Sequence, residues 1–417
     1  MPDVVAARAP GHRPLRIGLL THSVNPRGGV VHTLELADAL HARGHHVTVF
    51  APATPGQQMF RVMRCDVELV PIEQATVGKV TNVLEMVETR RAAYVAHLAQ
   101  RLRSEPFEVL HAQDGIGGNA LADLCDAGAI GGFVRTVHHL DHFEEPRLMA
   151  LQERAYRRAS LVLCVSQLWR DHLLATEGVP SSLVHNGVDL QRYSRRRDTS
   201  DPRVAARYGL RPGAPMLLAV GGVEERKNTL RLLEAFIEFR AKTAPSAQLV
   251  IAGGASVLDH SAYARRFEAL HAAAGLGDSV VLTGTVADED MPALFRAADA
   301  LLMPSLREGF GLVVLEALAS GTPTVVSRIA PFTEYLPEDE SVGHCCWADP
   351  MAPASIARAI ARACDPAHAA ALARGVPPVC ERFGWATSAE RHEVLYRAHL
   401  ALTESPHARH AFQHSMA

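Results

Sequence analysis

No apolar run in this 417-residue sequence approaches the roughly 20 residues that a membrane-crossing helix needs, and its first residues lack the apolar core of a secretion signal. The expected location is the cytoplasm, with residues 1–13, rich in Pro, Ala and Arg, as a loose tail. Charge of one sign is also missing. Lys and Arg nearly balance Asp and Glu, and the net charge of −3 gives no electrostatic basis for binding nucleic acid. The seven cysteines include no Cys-x-x-Cys pair, and only Cys345 and Cys346 are adjacent, which predicts reduced core thiols rather than a disulfide framework. None of the 22 histidines falls in a His-Glu-x-x-His arrangement, and pairs such as His45-His46 are expected at a strand edge, so no metal site is predicted. The first glycine loop is not Gly-x-Gly-x-x-Gly, which argues against a dinucleotide of the NAD type.

What is present is a long alternation of apolar runs and amphipathic segments. With 48% hydrophobic and 21% charged residues, the chain suits two globular domains of about 200 residues, each with its own core. Leu15–His22 reads as a buried parallel strand, followed by a loop ending in Gly28 and Gly29. Apolar or small residues at Val30, Thr33, Leu34, Ala37 and Leu40 then give one helical face; Gly44 ends the helix and His46–Ala51 is the next strand. Strand, glycine loop, helix, strand opens a doubly wound α/β fold. Further strands are expected at Glu108–Ala112, Phe133–Val137 and Ser160–Val165, each ending in polar residues where open α/β sheets bind ligands. In the second half, Met216–Gly221, Gln248–Gly253 and Ser279–Gly284 repeat the pattern. The predicted division is a domain over 14–195, a linker rich in Arg, Asp, Ser, Pro and Gly over 196–214 with one short helical piece around Val204–Tyr208, a domain over 215–382, a last helix over 383–403 and a tail over 404–417. A helical stretch from Val77 to Arg103 carries Arg90, Arg91, Arg101 and Arg103; it suits a solvated outer helix or, alternatively, weak contact with an anionic membrane surface on the cytoplasmic side.

The stretch from Asp299 to Ser327 carries the densest chemistry. A short apolar run, Ala300 to Met303, precedes a loop with Glu308, Gly309 and Gly311, and then Leu312–Ala319, a helix apolar on nearly every side except at Glu316. An unpaired buried carboxylate costs several kcal/mol, so Glu316 needs donors, and the vicinal hydroxyls of a ribose supply them. The start of that helix offers free N–H groups to a phosphate. Gly309 and Gly311 would let backbone approach such a ligand closely. The competing arrangement is an internal salt bridge from Glu316 to Arg307 or Arg328. Arg226 and Lys227, at the end of the Met216–Gly221 strand and before a helix starting at Thr229, form a second phosphate-binding pattern. Asp288-Glu289-Asp290 resembles a metal-binding acidic motif but precedes a helix over Met291–Ala298, where the acids are expected to cap it.

Glu308, the Gly309-Phe310-Gly311-Leu312 turn, Glu316 and the following Ala-Leu-Ala-Ser-Gly-Thr-Pro closely resemble the donor-site signature of retaining glycosyltransferases of the large family four group. That resemblance implies the GT-B architecture, two Rossmann-like doubly wound domains facing a central cleft. It also implies transfer of a hexosyl group from a nucleoside-diphosphate sugar to a small-molecule, glycan or lipid hydroxyl, with retention at the anomeric carbon, no cofactor and no metal. By the same resemblance Arg226 and Lys227 hold the diphosphate, Glu308 orients the sugar, and Glu316 binds the ribose. Gly222, Gly254, Gly309, Phe310, Gly311 and Leu312 line the donor side, as do Gly28 and Gly29 from the first domain. His138 lies near the sugar's hydroxymethyl group, although His139 stands where the family often has Asp. His111, Asp114, Ser166 and Asn186 match turns on the acceptor side. Ala330–Glu334 looks like a second donor-side turn, and the helix after Phe383-Gly384-Trp385 like one that returns to the first domain. A nucleotide-sugar epimerase of related architecture and a non-catalytic nucleotide-sugar-binding protein are the alternatives; the former needs acids placed for proton abstraction.

Overall fold

A helix after most strands returns the chain to the same end of the sheet, so neighbouring strands run parallel. The computed structural model describes residues 13–73, 83–254, 260–337, 345–368 and 378–404. They form two compact units: one runs to Asn186 and resumes at Trp385, and the other is Gly187–Gly384.

In the first unit β1 (Arg16–Leu20), β2 (His46–Ala53), β3 (Asp66–Pro71), β4 (Val109–Ala112), β5 (Val134–Val137), β6 (Leu161–Cys164) and β7 (Ser182–Leu183) form one parallel sheet in the order β3-β2-β1-β4-β5-β6-β7. The order reverses at β1, where Leu19 lies opposite Val49 of β2 on one side and His111 of β4 on the other. Helices α1 (Gly28–Ala42), α2 (Val83–Ser104), α3 (Gly115–Asp126), α4 (Pro146–Arg157) and α5 (Gln167–Glu177) cover the sheet. Helix α1 buries Val30, Thr33, Leu34, Ala37 and Leu40, the face that the spacing predicts, but also His32 and Leu36. Helix α2 buries Tyr94 and Leu98 against Phe50, Leu110, Leu121 and Phe133, each such apolar side chain contributing about 2 kcal/mol. Its arginines are largely engaged by the protein. Arg91 grips Asp123 through two bonds of 2.5 and 2.9 Å, Arg101 binds Glu68 at 3.1 Å and Glu105 at 2.7 Å, and Arg90 donates to the His22 carbonyl at 3.0 Å. Three of the four arginines thus fasten the helix to the protein. No helix among the described residues is long and apolar enough to cross a membrane.

The second unit repeats the plan. Strands β8 (Met216–Val220), β9 (Gln248–Ala252), β10 (Val280–Gly284), β11 (Ala300–Met303), β12 (Thr324–Ser327) and β13 (Cys345–Ala348) form a parallel sheet in the order β10-β9-β8-β11-β12-β13. Around it lie α6 (Asp201–Arg207), α7 (Thr229–Lys242), α8 (Ser261–Ala273), α9 (Met291–Ala297), α10 (Leu312–Ala319), α11 (Phe332–Tyr335), α12 (Pro353–Ala363) and α13 (Pro378–Arg382). The last helix, α14 (Trp385–Glu404), belongs to the first unit and packs along α1, where Glu393 binds Arg43 and Arg397, both at 2.8 Å.

Two local expectations are corrected. Residues 196–214, expected as a linker, contain α6 and lie within the second unit, because Asp201 pairs with Arg296 and Arg207 reaches Asp290 at 2.8 Å. Asp288 and Asp290 do not cap a helix with their side chains. Asp288 binds Arg192 at 2.8 Å, and Asp290, almost fully buried, also accepts from the Tyr208 hydroxyl at 3.1 Å. His45 and His46 stand at the start of β2 as expected, and His45 is buried there, accepting from the Leu15 amide at 3.2 Å and facing Glu393 at 3.3 Å. Cys345 and Cys346 are free thiols buried on β13, with burial pushing them up to about 12 and about 11.

Candidate active site

In the second unit the glycines at the ends of β8 and β9 first explain themselves by contact with one another. A Cβ on Gly253 would lie 2.5 Å from the Gly221 carbonyl carbon, one on Gly222 would lie 2.8 Å from the Gly254 oxygen, and one on Gly254 would meet the Thr285 hydroxyl at 2.4 Å. Gly222 and Gly254 therefore serve the close packing of strand ends. Gly221, with φ of 134°, lies beneath the stem of Lys227, whose Cε would sit 3.1 Å from an added Cβ.

That packing sets the stage for a charged cluster drawn from residues 81 apart in sequence. The Lys227 ammonium lies 2.7 Å from Glu308 Oε1, and the same oxygen has Arg226 Nη1 at 3.2 Å and accepts from the Ser305 hydroxyl at 2.9 Å. Arg226 also binds Glu224 at 3.0 Å, and His260 stands 3.5 Å from the other oxygen of Glu224. Burial alone would raise the Glu308 carboxyl; Lys227 and Arg226 override it and hold the group down to about 2, so it is ionised. Two cations and two carboxylates thus stand immediately before the N-terminus of α7. Ser305 is fixed in turn, its carbonyl accepting from the Ser327 hydroxyl at 2.7 Å. Arg226, Lys227 and Glu308 are therefore brought together, as their assignment to one site requires.

The rest of the Gly309–Glu316 stretch divides between surface and core. Gly311 has φ of 89°, and a Cβ there would meet Phe332 Cε1 at 2.5 Å, so the glycine is required by the neighbouring α11 as much as by any ligand. Phe310 is buried, stacked on Tyr335 at 4.9 Å and edge-on to Phe383, and its carbonyl accepts from the Tyr335 hydroxyl at 3.0 Å. Its ring is a packing element rather than a donor contact. Leu312 is half-buried at the start of α10, and Glu316 lies buried further along that helix. The Ala330–Glu334 turn acts here mainly through Phe332.

The first unit places a band of polar residues at the carboxyl ends of β1, β4, β5 and β6. Gly28 and Gly29 open α1; the space around a Cβ at Gly28 is clear, and His22 and His138 lie 3.9 and 4.0 Å from one at Gly29. His138, half-buried, pairs through Nε2 with Gln113 Oε1 at 3.1 Å and packs edge-on to His32 at 4.6 Å. Burial, then His32 and Arg135, lower it well below the usual imidazole range, so it is neutral. Asp114 caps α3, accepting from the Gly117 amide at 2.8 Å, while its other oxygen has no hydrogen-bond partner among the described residues. Ser166 is fully buried at the start of α5, its hydroxyl likewise unpartnered there. Two assignments are corrected. His111 is fully buried, with Nδ1 on the Tyr396 hydroxyl and Nε2 on Thr136, both at 2.7 Å, which leaves it no nitrogen for an acceptor. Asn186 is buried and turned to His32 Nδ1 at 2.9 Å. Sequence reasoning missed His32, His392 and Trp385 as partners in this cluster, with rings 5.3 Å apart for His32 and Trp385 and 5.8 Å for His111 and His392. A histidine within the apolar α1 was the available signal. Among the described residues no group of three or more His, Cys, Asp or Glu is arranged to hold a metal.

Comparison with known proteins covers both units. The family described as Glycosyltransferase Family 4 matches residues 26–192, and that described as Glycosyl transferases group 1 matches residues 201–373. A D-inositol 3-phosphate glycosyltransferase of Xylanimonas cellulosilytica is 27% identical over 416 residues, covering 90% of this chain and 95% of that protein. Two other curated relatives, 31% and 32% identical, align over only 38% and 46% of their own length. Among solved structures, sucrose-phosphate synthase from Thermosynechococcus elongatus superposes with a TM-score of 0.74 at 22% identity, over 92% of this chain and 99% of that one. Anabaena Alr3699/HepE in complex with UDP-glucose gives 0.71 at 19% identity, over 91% and 99%. With two Rossmann-like units matched in turn by the two halves of one enzyme family, the chain belongs to the group 1, family 4 glycosyltransferases of GT-B architecture.

Proposed function

We propose that the protein transfers a hexosyl group from a nucleoside-diphosphate sugar to an acceptor hydroxyl, with retention of anomeric configuration and without a metal ion. The observation that carries the reading is the Arg226–Lys227–Glu308 cluster before α7, in a fold shared with a protein whose structure holds UDP-glucose. Lys227 and Arg226 hold the diphosphate and offset the charge that grows on it as the bond from the anomeric carbon to the phosphate oxygen breaks. The acceptor oxygen bonds to the same carbon on the same face, and its proton passes to the departing phosphate, so no carboxylate nucleophile is required. Glu308 orients the sugar and Glu316 the ribose. Asp114 and Ser166 supply polar atoms for the acceptor, a small molecule, a glycan or a lipid. Catalysis is then positioning plus electrostatic stabilisation of the leaving group.

The test is a thermal-shift screen of UDP-, GDP- and ADP-sugars, followed by transfer or slow hydrolysis with the donor that binds. One donor family at a hundredfold its Kd is expected to stabilise the protein by about 2.7 kcal/mol. Product formation is expected to be unchanged when a chelator is added. Loss of all activity with chelator would overturn metal independence, and the absence of binding by every donor would overturn the nucleotide-sugar reading.

A further inference from the structure

Resting on that reading, we infer that Asn228 is a positioning residue: its side-chain amide locks the Arg226–Lys227 turn to the Glu308 loop and so sets where the two cations stand. Asn228 is the one non-glycine residue with positive φ among the described residues, at 60°, and it is 1% exposed. A left-handed backbone disfavours any residue with a Cβ, although Asn tolerates it better than most. Glycine would relieve that cost, so the side chain has to be accounted for.

Its contacts account for it. Asn228 stands at the N-cap of α7 but does not cap that helix with its side chain. Instead Nδ2 donates to the Pro304 carbonyl at 2.9 Å and to the Pro350 carbonyl at 2.7 Å, while Oδ1 accepts from Arg231 Nη1 at 3.1 Å. Pro304 immediately follows β11, and Pro350 lies two residues beyond β13. One amide therefore ties the turn after β8 to the ends of two other strands. A second bond runs alongside, from the Leu306 amide to the Arg226 carbonyl at 2.9 Å. Glu308 is two residues further on, held to Ser305 by the hydroxyl bond described above. The distance between Lys227 and Glu308 is thus fixed by two bonds between the turn and the loop, and Asn228 supplies the one that a side chain makes.

The test replaces Asn228 by Gly, which keeps the left-handed backbone and removes the amide. A displacement of the cations by about 1 Å is expected to lower kcat roughly a hundredfold. The donor KM is expected to change much less. A role confined to stability would lower the melting temperature but leave kcat per folded molecule in place; that result overturns the inference. The carbon NMR shift of the Glu308 carboxyl at neutral pH, which responds to the ammonium beside it, separates the two readings. A changed shift in Asn228→Gly with no transfer from any donor by the wild-type protein would uphold the positioning role and defeat the proposed reaction. An unchanged shift would defeat the positioning role whatever the activity. Should Asn228→Gly fail to fold, Asn228→Ala, which removes the amide and adds no charge, carries the same readouts.

Discussion

Lys227→Ala is expected to lower turnover by about a hundred- to a thousandfold, the range found when one preorganised donor to a developing oxyanion is removed. The fold should survive. Glu308 would lose its partner at 2.7 Å but keep Arg226 at 3.2 Å and the Ser305 hydroxyl at 2.9 Å, so the buried carboxylate is not left unpaired. Lys227→Arg should recover little, because a planar fork does not replace a compact ammonium that packs over Gly221. Initial rates with the donor found by screening, set beside circular dichroism melts, check both statements. Turnover within tenfold of wild type would remove Lys227 from the mechanism.

The first unit is expected to be acid-labile well above the range in which carboxylates titrate. His32 and His392 are fully buried in the cluster that also contains His111, Asn186, Trp385 and Tyr396. Burial and the neighbouring His392 depress His32 to about 3, and burial depresses His392 to about 4; His111 and His138 are lowered too, burial again the main cause. Each group is thus harder to protonate when folded than when unfolded, where its value is near 6.5. Between those values the unfolded chain binds more protons, so the stability is present above pH 6.5 and is lost as pH falls towards 3 or 4. At about 1.36 kcal/mol per pH unit per group, His32 and His392 together lose about 4 kcal/mol between pH 6.5 and 5. That is a large part of the 5–15 kcal/mol typical of a domain. Glu308 and Glu393, each held down to about 2 against burial by their cationic partners, lose their contribution only as pH falls below the usual carboxylate value. Urea unfolding at pH 8, 6.5 and 5 should show the midpoint falling across the last interval, and His32→Gln should lessen that fall. A midpoint that stays level to pH 5 would show that these histidines are not buried neutral.

The parallel sheets were legible because strands covered on both faces read as unbroken apolar runs, as in Met216–Val220 and Ala300–Met303, and because α1 shows its buried face at helical spacing. Arg226, Lys227 and Glu308 were legible as types in a pattern, but not the single oxygen on which they converge, which depends on the pairing of β8 with β11. That α6 belongs to the second unit was hidden for a related reason. Its Asp201 and Arg207 read as a polar linker until their partners Arg296 and Asp290, distant in sequence, are seen to neutralise them. The role of Asn228 was not legible, since nothing local reveals that its amide reaches two proline carbonyls. His111 was misplaced because a polar strand end predicts a ligand site only when the side chain faces out, and the Tyr396 and Thr136 hydroxyls claim both of its nitrogens.

Lys227 and Arg226, the proposed diphosphate site, are bound to Glu308, an anion with which a diphosphate would have to compete. Calorimetric titration of nucleoside diphosphates into the wild-type protein, Lys227→Ala and Glu308→Gln measures that competition. Opposite displacements are expected: at least tenfold weaker binding without the ammonium, and tighter binding once the neighbouring carboxylate is neutral, with transfer lost in both. Equal affinity in all three proteins, or weaker binding by Glu308→Gln, would remove these residues from the diphosphate site.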